Sequence, residues 1–507
     1  MSSHPSLFRS TLLLTAVGAV NQALFFLYRI ALARLAGAEV MGLYQLIMPV
    51  YALMQSVCIS GLVVTVSMLS SEFHARNNER ALRQLMSISL RGLLWLWLPM
   101  AAVIFMRAAP IARTLLGDER AQLGLWLLPP VLLLTGIENL QKHHFYGIGR
   151  VRIPAGVEIG EQIVRTGGTL ILLMLFAGQA QKTTLGVIVL GLLVSEIFSS
   201  TALTVFRLRR QHRLSLCGAA IPTQKLRRRM IGIALPVSLT AVAGNLMGMA
   251  TSVLIPKLLV VSGLSAVEAL EAFGVLMGMT LPLLTIPNVF INALSLALLP
   301  RLSEQHELGQ MSAFRCTSQK ALLAVSFVIL PLIAVIATLG RDLGMLLFGD
   351  SRVGQDILPL AVAVGAGCYH AILVCILNAL GKQKQSAAIS LCCGGVELAL
   401  TCALVGTYGL SGFAVALMAA DFLATGLCLL IAIRSTGIQI DCYRCFSAPV
   451  LSAVLAGLVI HLVYHRLIVS GFTPLVTLTL CALGGGALYL AAMLAQGIRP
   501  ITTIRGG

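Results

Sequence analysis

Four acids and two arginines lie inside stretches that are otherwise apolar, and these are the groups able to do chemistry. Glu161 and Arg165 stand four residues apart in EQIVR, which puts them on one helix face and lets them pair. Glu196, Glu397 and Asp421 each fall near the middle of an apolar run, and Arg29 lies in another, preceded by Asn21 and Gln22. Ionisable groups inside a membrane span are costly and are functional candidates by default. A guanidinium in a low-dielectric setting grips an anion such as a phosphate through paired N–H donors. A carboxylate there takes up protons or cations. The expected substrate contacts are therefore Arg29, Arg165, Glu161, Gln22 and Asn21, and the expected ion-coupling groups are Glu397, Asp421 and Glu196. Each has a plainer role beside it. Glu161 and Arg165 can be a structural pair, the amides can be interhelical glue, and Arg29 can snorkel. Glu138 can simply pair with Lys142, four residues on.

The elements that hold these groups are long apolar runs. The chain has 507 residues, of which 58% are hydrophobic and 11% charged, with a mean hydropathy of +0.92. Soluble domains carry about 25% charged residues, so this chain has too few to solvate a globular surface. Runs of about 20 apolar residues recur, the length that crosses ~30 Å of hydrocarbon. Fourteen spans are expected, from 7–35 and 41–69 through to 446–468 and 472–495. The fold class is an all-α integral membrane protein. Pro49, Pro236, Pro282, Pro287 and Pro331 fall within spans and are expected to interrupt them.

The net charge of +17 would suggest nucleic acid in a soluble chain. Here the basic residues occupy short connections, which is how topology is written, so no nucleic-acid partner is expected. Alternate connections hold 25 Lys and Arg on one side against 9 on the other, which places both termini in the cytoplasm. Counting about 1.5 Å per residue, Glu161 and Arg165 come near the midplane and Arg29 near the outer leaflet. The first run is too long for a signal peptide and is expected to stay as a span. Most cysteines lie in apolar runs as small hydrophobes. Cys442 and Cys445 form a lone CxxC, which cannot complete a zinc site. There is no GxxxxGK[ST] loop and no HExxH. No cofactor is expected, and no enzyme activity.

A repeat flanks the basic connection at 207–230. Leu98–Ile104 matches Leu330–Ile336, Ser71–Glu72 matches Ser303–Glu304, and GDER at Gly117–Arg120 matches GDSR at Gly349–Arg352, all at an offset of 232. Leu14–Val17 matches Leu239–Val242 at 225, so the second copy gains seven residues between its first two spans. Six spans per copy is an even number, so the copies share one orientation. The expected organisation is an N-terminal lobe at 1–218, a C-terminal lobe at 219–440 and two further helices at 441–507.

The pieces LYRIALARLAGAEVMGLYQ at 27–45, EQIVR at 161–165, Ser303–Glu304 and NALGKQ at 378–383 carry a family resemblance. The chain resembles the stage V sporulation protein B group of polysaccharide-biosynthesis exporters, within the multidrug/oligosaccharidyl-lipid/polysaccharide (MOP) flippase superfamily. The resemblance implies two six-helix lobes around a central cavity in a bacterial cytoplasmic membrane. It implies flipping of an undecaprenyl-diphosphate-linked precursor, which in sporulating bacteria would be lipid II for spore cortex peptidoglycan. Arg29 and Arg165 are the carry-overs of the arginines that hold the diphosphate in related flippases. After Gly61 the chain departs from the pattern. Val63–Val64 and Ser67–Met68 replace a proline and a Ser-Lys pair, which points to a divergent paralogue.

The expected partners are a lipid-linked anionic substrate, membrane lipids and a cell-wall synthase. Two other functions compete. Efflux of organic cations or drugs expects a cavity dominated by acids and aromatics. A non-transporting scaffold for a cell-wall synthase expects charge-neutralising changes in the spans to be tolerated.

Overall fold

The computed structural model describes residues 7–176, 180–213, 218–437, 441 and 443–498, and Cys442 of the CxxC pair lies outside them. The described residues are helical and contain no strand. In lipid, a helix satisfies its own backbone groups without water. The first repeat copy comprises α1 (Leu7–Gln55), α2 (Gly61–Ala75), α3 (Glu79–Pro110), α4 (Gln122–Gly147), α5 (Arg152–Leu175) and α6 (Gln181–Arg213). The second opens with α7 (Thr223–Val261), α8 (Ala266–Val275), the short α9 (Leu281–Leu284) and α10 (Asn288–Glu307). It continues through α11 (Met311–Phe348), α12 (Ile357–Ala379) and α13 (Gln383–Thr436). Helices α14 (Ala448–Val469) and α15 (Pro474–Ala495) follow as a pair. They pack on α11 through Tyr489, whose hydroxyl donates to the Ser326 carbonyl at 2.9 Å.

Among the described residues, eleven helical stretches are long and apolar enough to cross a membrane, and the protein is a multi-pass membrane protein. Two of them each hold two segments joined at a glycine, Gly37 (φ 80°, ψ 170°) in α1 and Gly409 (φ 60°, ψ −140°) in α13. Only glycine enters those regions without a steric cost, so each helix breaks within a single residue and with no loop. Helix α5 is not among the eleven. Its Arg152, Glu158, Glu161 and Arg165 dilute its apolarity, and the last three build the site described below.

The expected proline interruptions are fewer than foreseen. Pro49, Pro236 and Pro331 lie inside helices that run on past them. Pro282 lies inside the continuous helical stretch Ala266–Leu284, just after the π-helical turn Leu276–Thr280. Only Thr285–Pro287 leaves the helix, between α9 and α10.

The chain divides into two compact units, Met1–Lys257 and Leu258–Gly507. The packing boundary thus falls inside α7, whereas the repeat begins before it. Most of α7 belongs with the first unit because it is bonded there along its length. The Gly61 N–H donates to Ser238 Oγ at 3.2 Å, Arg229 grips Glu72 at 3.1 and 2.5 Å, and Lys257 Nζ donates to the Thr114 carbonyl at 3.1 Å. Gly61 has no room for a side chain, since a Cβ there would overlap the Ala234 carbonyl.

Each unit repeats one clamp at the end of its helices away from the basic connections. In the first, Arg120 bridges Glu39 at 2.5 Å and Asp118 at 2.7 Å, and also bonds Gln181. In the second, Arg352 bridges Glu271 at 2.7 Å and Asp350 at 2.8 Å. All three pairs of residues sit 232 apart. Asp118 and Asp350 also cap the turn that carries the arginine, each accepting its backbone N–H at 2.9 Å. Arg120 is the more enclosed and the better bonded. Arg120→Ala is expected to destabilise by about 1.5–3 kcal/mol and Arg352→Ala by less than about 1 kcal/mol, read as thermal unfolding in detergent. The Arg352 guanidinium holds the Asp350 carboxyl below the usual range. A lowered folded pKa stabilises above the unfolded value of about 3.9 and is lost as pH falls through the folded one. The stability gap between wild type and Asp350→Asn should stay constant from neutral pH to about pH 5 and close only below about pH 4.

Candidate functional site

Helices α4, α5 and α6 pack together within the first unit, and each brings acids to the same place. On α5, Glu158, Glu161 and Arg165 stand at i, i+3 and i+7, one face of a helix. On α4, Glu138 and Lys142 are one turn apart, and α6 supplies Ser195 and Glu196. Arg165 Nη2 bonds Glu161 Oε1 and lies 3.5 Å from Glu196 Oε1. Its Nε donates to Ser195 Oγ at 3.1 Å. Lys142 Nζ bridges Glu138 and Glu158, each at 2.9 Å. Asn21 of α1 donates to Glu158 at 3.4 Å, and the Tyr146 hydroxyl donates to the same carboxylate at 3.2 Å.

Four carboxylates therefore surround two fixed cations. Glu138, Glu161 and Glu196 are all buried, with ligand oxygens within 4.8 Å of one another. Glu196 Oε2 has no hydrogen-bond partner among the described residues. Buried negative charge in excess of its counter-charge is expensive. Such a set takes up protons or holds a hard cation, for which three carboxylates are suitable ligands.

The expected residues divide accordingly. Glu161, Arg165, Glu196 and Asn21 are brought together, so the group expected to couple ions and the group expected to hold substrate share one cluster. Gln22 is exposed and, among the described residues, makes no hydrogen bond with the cluster that Asn21 joins. Arg29 sits with its guanidinium carbon 5.0 Å from the centroid of the Phe25 ring. The hydroxyls of Tyr28 and Tyr44 are within electrostatic reach of both Arg29 and Arg165. Glu397 and Asp421 belong to the second unit, on the two segments of α13, as charged neighbours. The Asp421 carboxylate lies 3.3 Å from where a Cβ on Gly367 of α12 would stand.

Glu138 pairs with Lys142 as expected, and Lys142 is held from its other side by Glu158. Glu158 was not singled out, although its spacing to Glu161 and Arg165 was the available signal.

Comparison with known proteins gives a family and a fold. A family model described as polysaccharide biosynthesis protein matches residues 7–306. Stage V sporulation protein B of Bacillus subtilis (strain 168) is 25% identical over 331 residues, which span 62% of this chain and 61% of that protein. The structure of lipid II flippase MurJ in an inward closed conformation superposes with a TM-score of 0.72 at 11% identity, covering 96% of this chain and 100% of that one. A multidrug resistance MATE family transporter of the MOP superfamily, in an inward-facing conformation, superposes with a TM-score of 0.66 at 14% identity, covering 82% and 94%. The fold is that of MOP-superfamily transporters.

Proposed function

We propose that this chain, which belongs to the polysaccharide biosynthesis protein family, moves an undecaprenyl-diphosphate-linked cell-wall precursor across the cytoplasmic membrane. Lipid II is the first candidate cargo, and alternating access is the mode of transport. Fourteen helical crossings, with both termini on the cytoplasmic side, accord with the two glycine breaks and with α5 as a charged crossing. The observation that carries the reading is the half-buried guanidinium of Arg165, held by two buried acids from different helices. A diphosphate needs fixed positive charge where water is scarce, and guanidinium supplies it through paired donors.

The same geometry supplies coupling. While Glu161 and Glu196 are ionised they occupy Arg165. Proton or cation uptake by the acids removes their hold, and the guanidinium turns to the anionic cargo. Release of cargo returns Arg165 to the acids and expels the ion. One cation thus serves two exclusive partners, which links the movement of an anion to that of a proton or metal cation.

Purified protein in liposomes containing labelled lipid II is expected to expose the head group to an external reagent, faster under an imposed proton or sodium gradient. Export of organic cations without movement of lipid II would sink the proposal. That second reading has an observation in its favour, since the cluster holds more acids than bases. Glu196→Gln is expected to slow gradient-driven movement on the order of tenfold while leaving passive exchange intact. A variant as responsive to the gradient as wild type would remove Glu196 from coupling.

A further inference from the structure

Helix α14 carries two histidines that the transport reading does not use. His461 and His465 are one turn apart, exposed, and on the same face. Their ring centroids are 4.8 Å apart, with the planes at 80°. His461 also lines an apolar cavity of about 720 Å³ bounded by α11, α12, α13 and α14, so the pair stands at that cavity's edge.

From these positions we infer a binding site for a divalent transition-metal ion, of the zinc, nickel or copper class, chelated by His461 and His465. Imidazole nitrogens bind such ions at 2.0–2.1 Å. Two of them on one ion, at an angle between square and tetrahedral, are roughly 3–3.4 Å apart, and their ring centroids are then roughly 4.5–5.2 Å apart. The observed centroid separation of 4.8 Å falls in that window. Histidines at i and i+4 on one helix are a recurrent metal-holding pair, because the helix fixes both before the ion arrives. Imidazole selects the borderline ions over magnesium or calcium. Two protein ligands leave positions open for water or an oxygen ligand. The competing account is an edge-to-face ring contact worth about 1 kcal/mol and no ligand at all.

The test uses full-length protein without a polyhistidine tag, in lipid nanodiscs, titrated with Cu²⁺ and read by electron paramagnetic resonance. The expected result is one equivalent of Cu²⁺ whose spectrum shows coupling to two imidazole nitrogens, and which Zn²⁺ displaces only in large excess. His461→Ala and His465→Ala should each weaken binding about tenfold or more and reduce the coupling to one nitrogen. Both side chains are exposed, and unchanged thermal unfolding checks that the variants fold. Unaltered copper binding in the double variant, or no binding by wild type, overturns the site.

Discussion

Arg165→Ala is expected to abolish lipid II flipping and to lower stability. Arg165 is held by Glu161 and Glu196 and also donates to Ser195 at 3.1 Å. Removing it leaves two buried carboxylates without their cation, and breaking a buried pair in this way costs about 3–5 kcal/mol. The stability loss alone would not establish a role in transport. Pairing the change with Glu161→Gln separates the two effects, because it removes one orphaned charge. The double variant should regain most of the thermal stability in detergent and still move no lipid II. Undiminished flipping in Arg165→Ala would take the residue out of the cargo site, whatever its effect on folding.

Lys142→Ala should destabilise about as strongly, for the same electrostatic reason and with a different outcome for transport. Its ammonium lies 2.9 Å from both Glu138 and Glu158 and joins α4 to α5. Without it those carboxylates face each other unscreened, again at about 3–5 kcal/mol. Lys142 is assigned a structural part, so Lys142→Ala combined with Glu158→Gln should restore both folding and flipping. A double variant that folds as well as wild type and does not transport would give Lys142 a direct part in the cycle.

Part of this site was legible in the sequence, and the remainder was hidden for identifiable reasons. The pairing of Glu161 with Arg165 follows from a spacing within one helix. The approach of Glu196 does not, because which faces of α5 and α6 meet depends on packing that no local pattern records. The second bond of Lys142, to Glu158 on the neighbouring helix, is hidden for the same reason, since the sequence shows only its i,i+4 partner Glu138. The repeat was visible in GDER and GDSR. Its acid partners Glu39 and Glu271 sit at the same offset, and their role emerges only where each is found against its arginine. The apolar runs gave the helical membrane architecture directly, since backbone satisfaction in lipid leaves few alternatives to a helix.

The two copies of the repeat are not equally free to drift. The first joins its opening spans at Gly37 alone, where the backbone stands at φ 80° and ψ 170° and a Cβ would meet no neighbour within 4 Å. The restriction there is torsional and not steric, so no compensating change elsewhere can relieve it. The second copy makes the corresponding break over Ser262–Ser265, a short turn with Gly263 at φ 106° and room around it. The first hairpin therefore rests on the one residue type that tolerates these torsions, while the second spreads its turn over four residues.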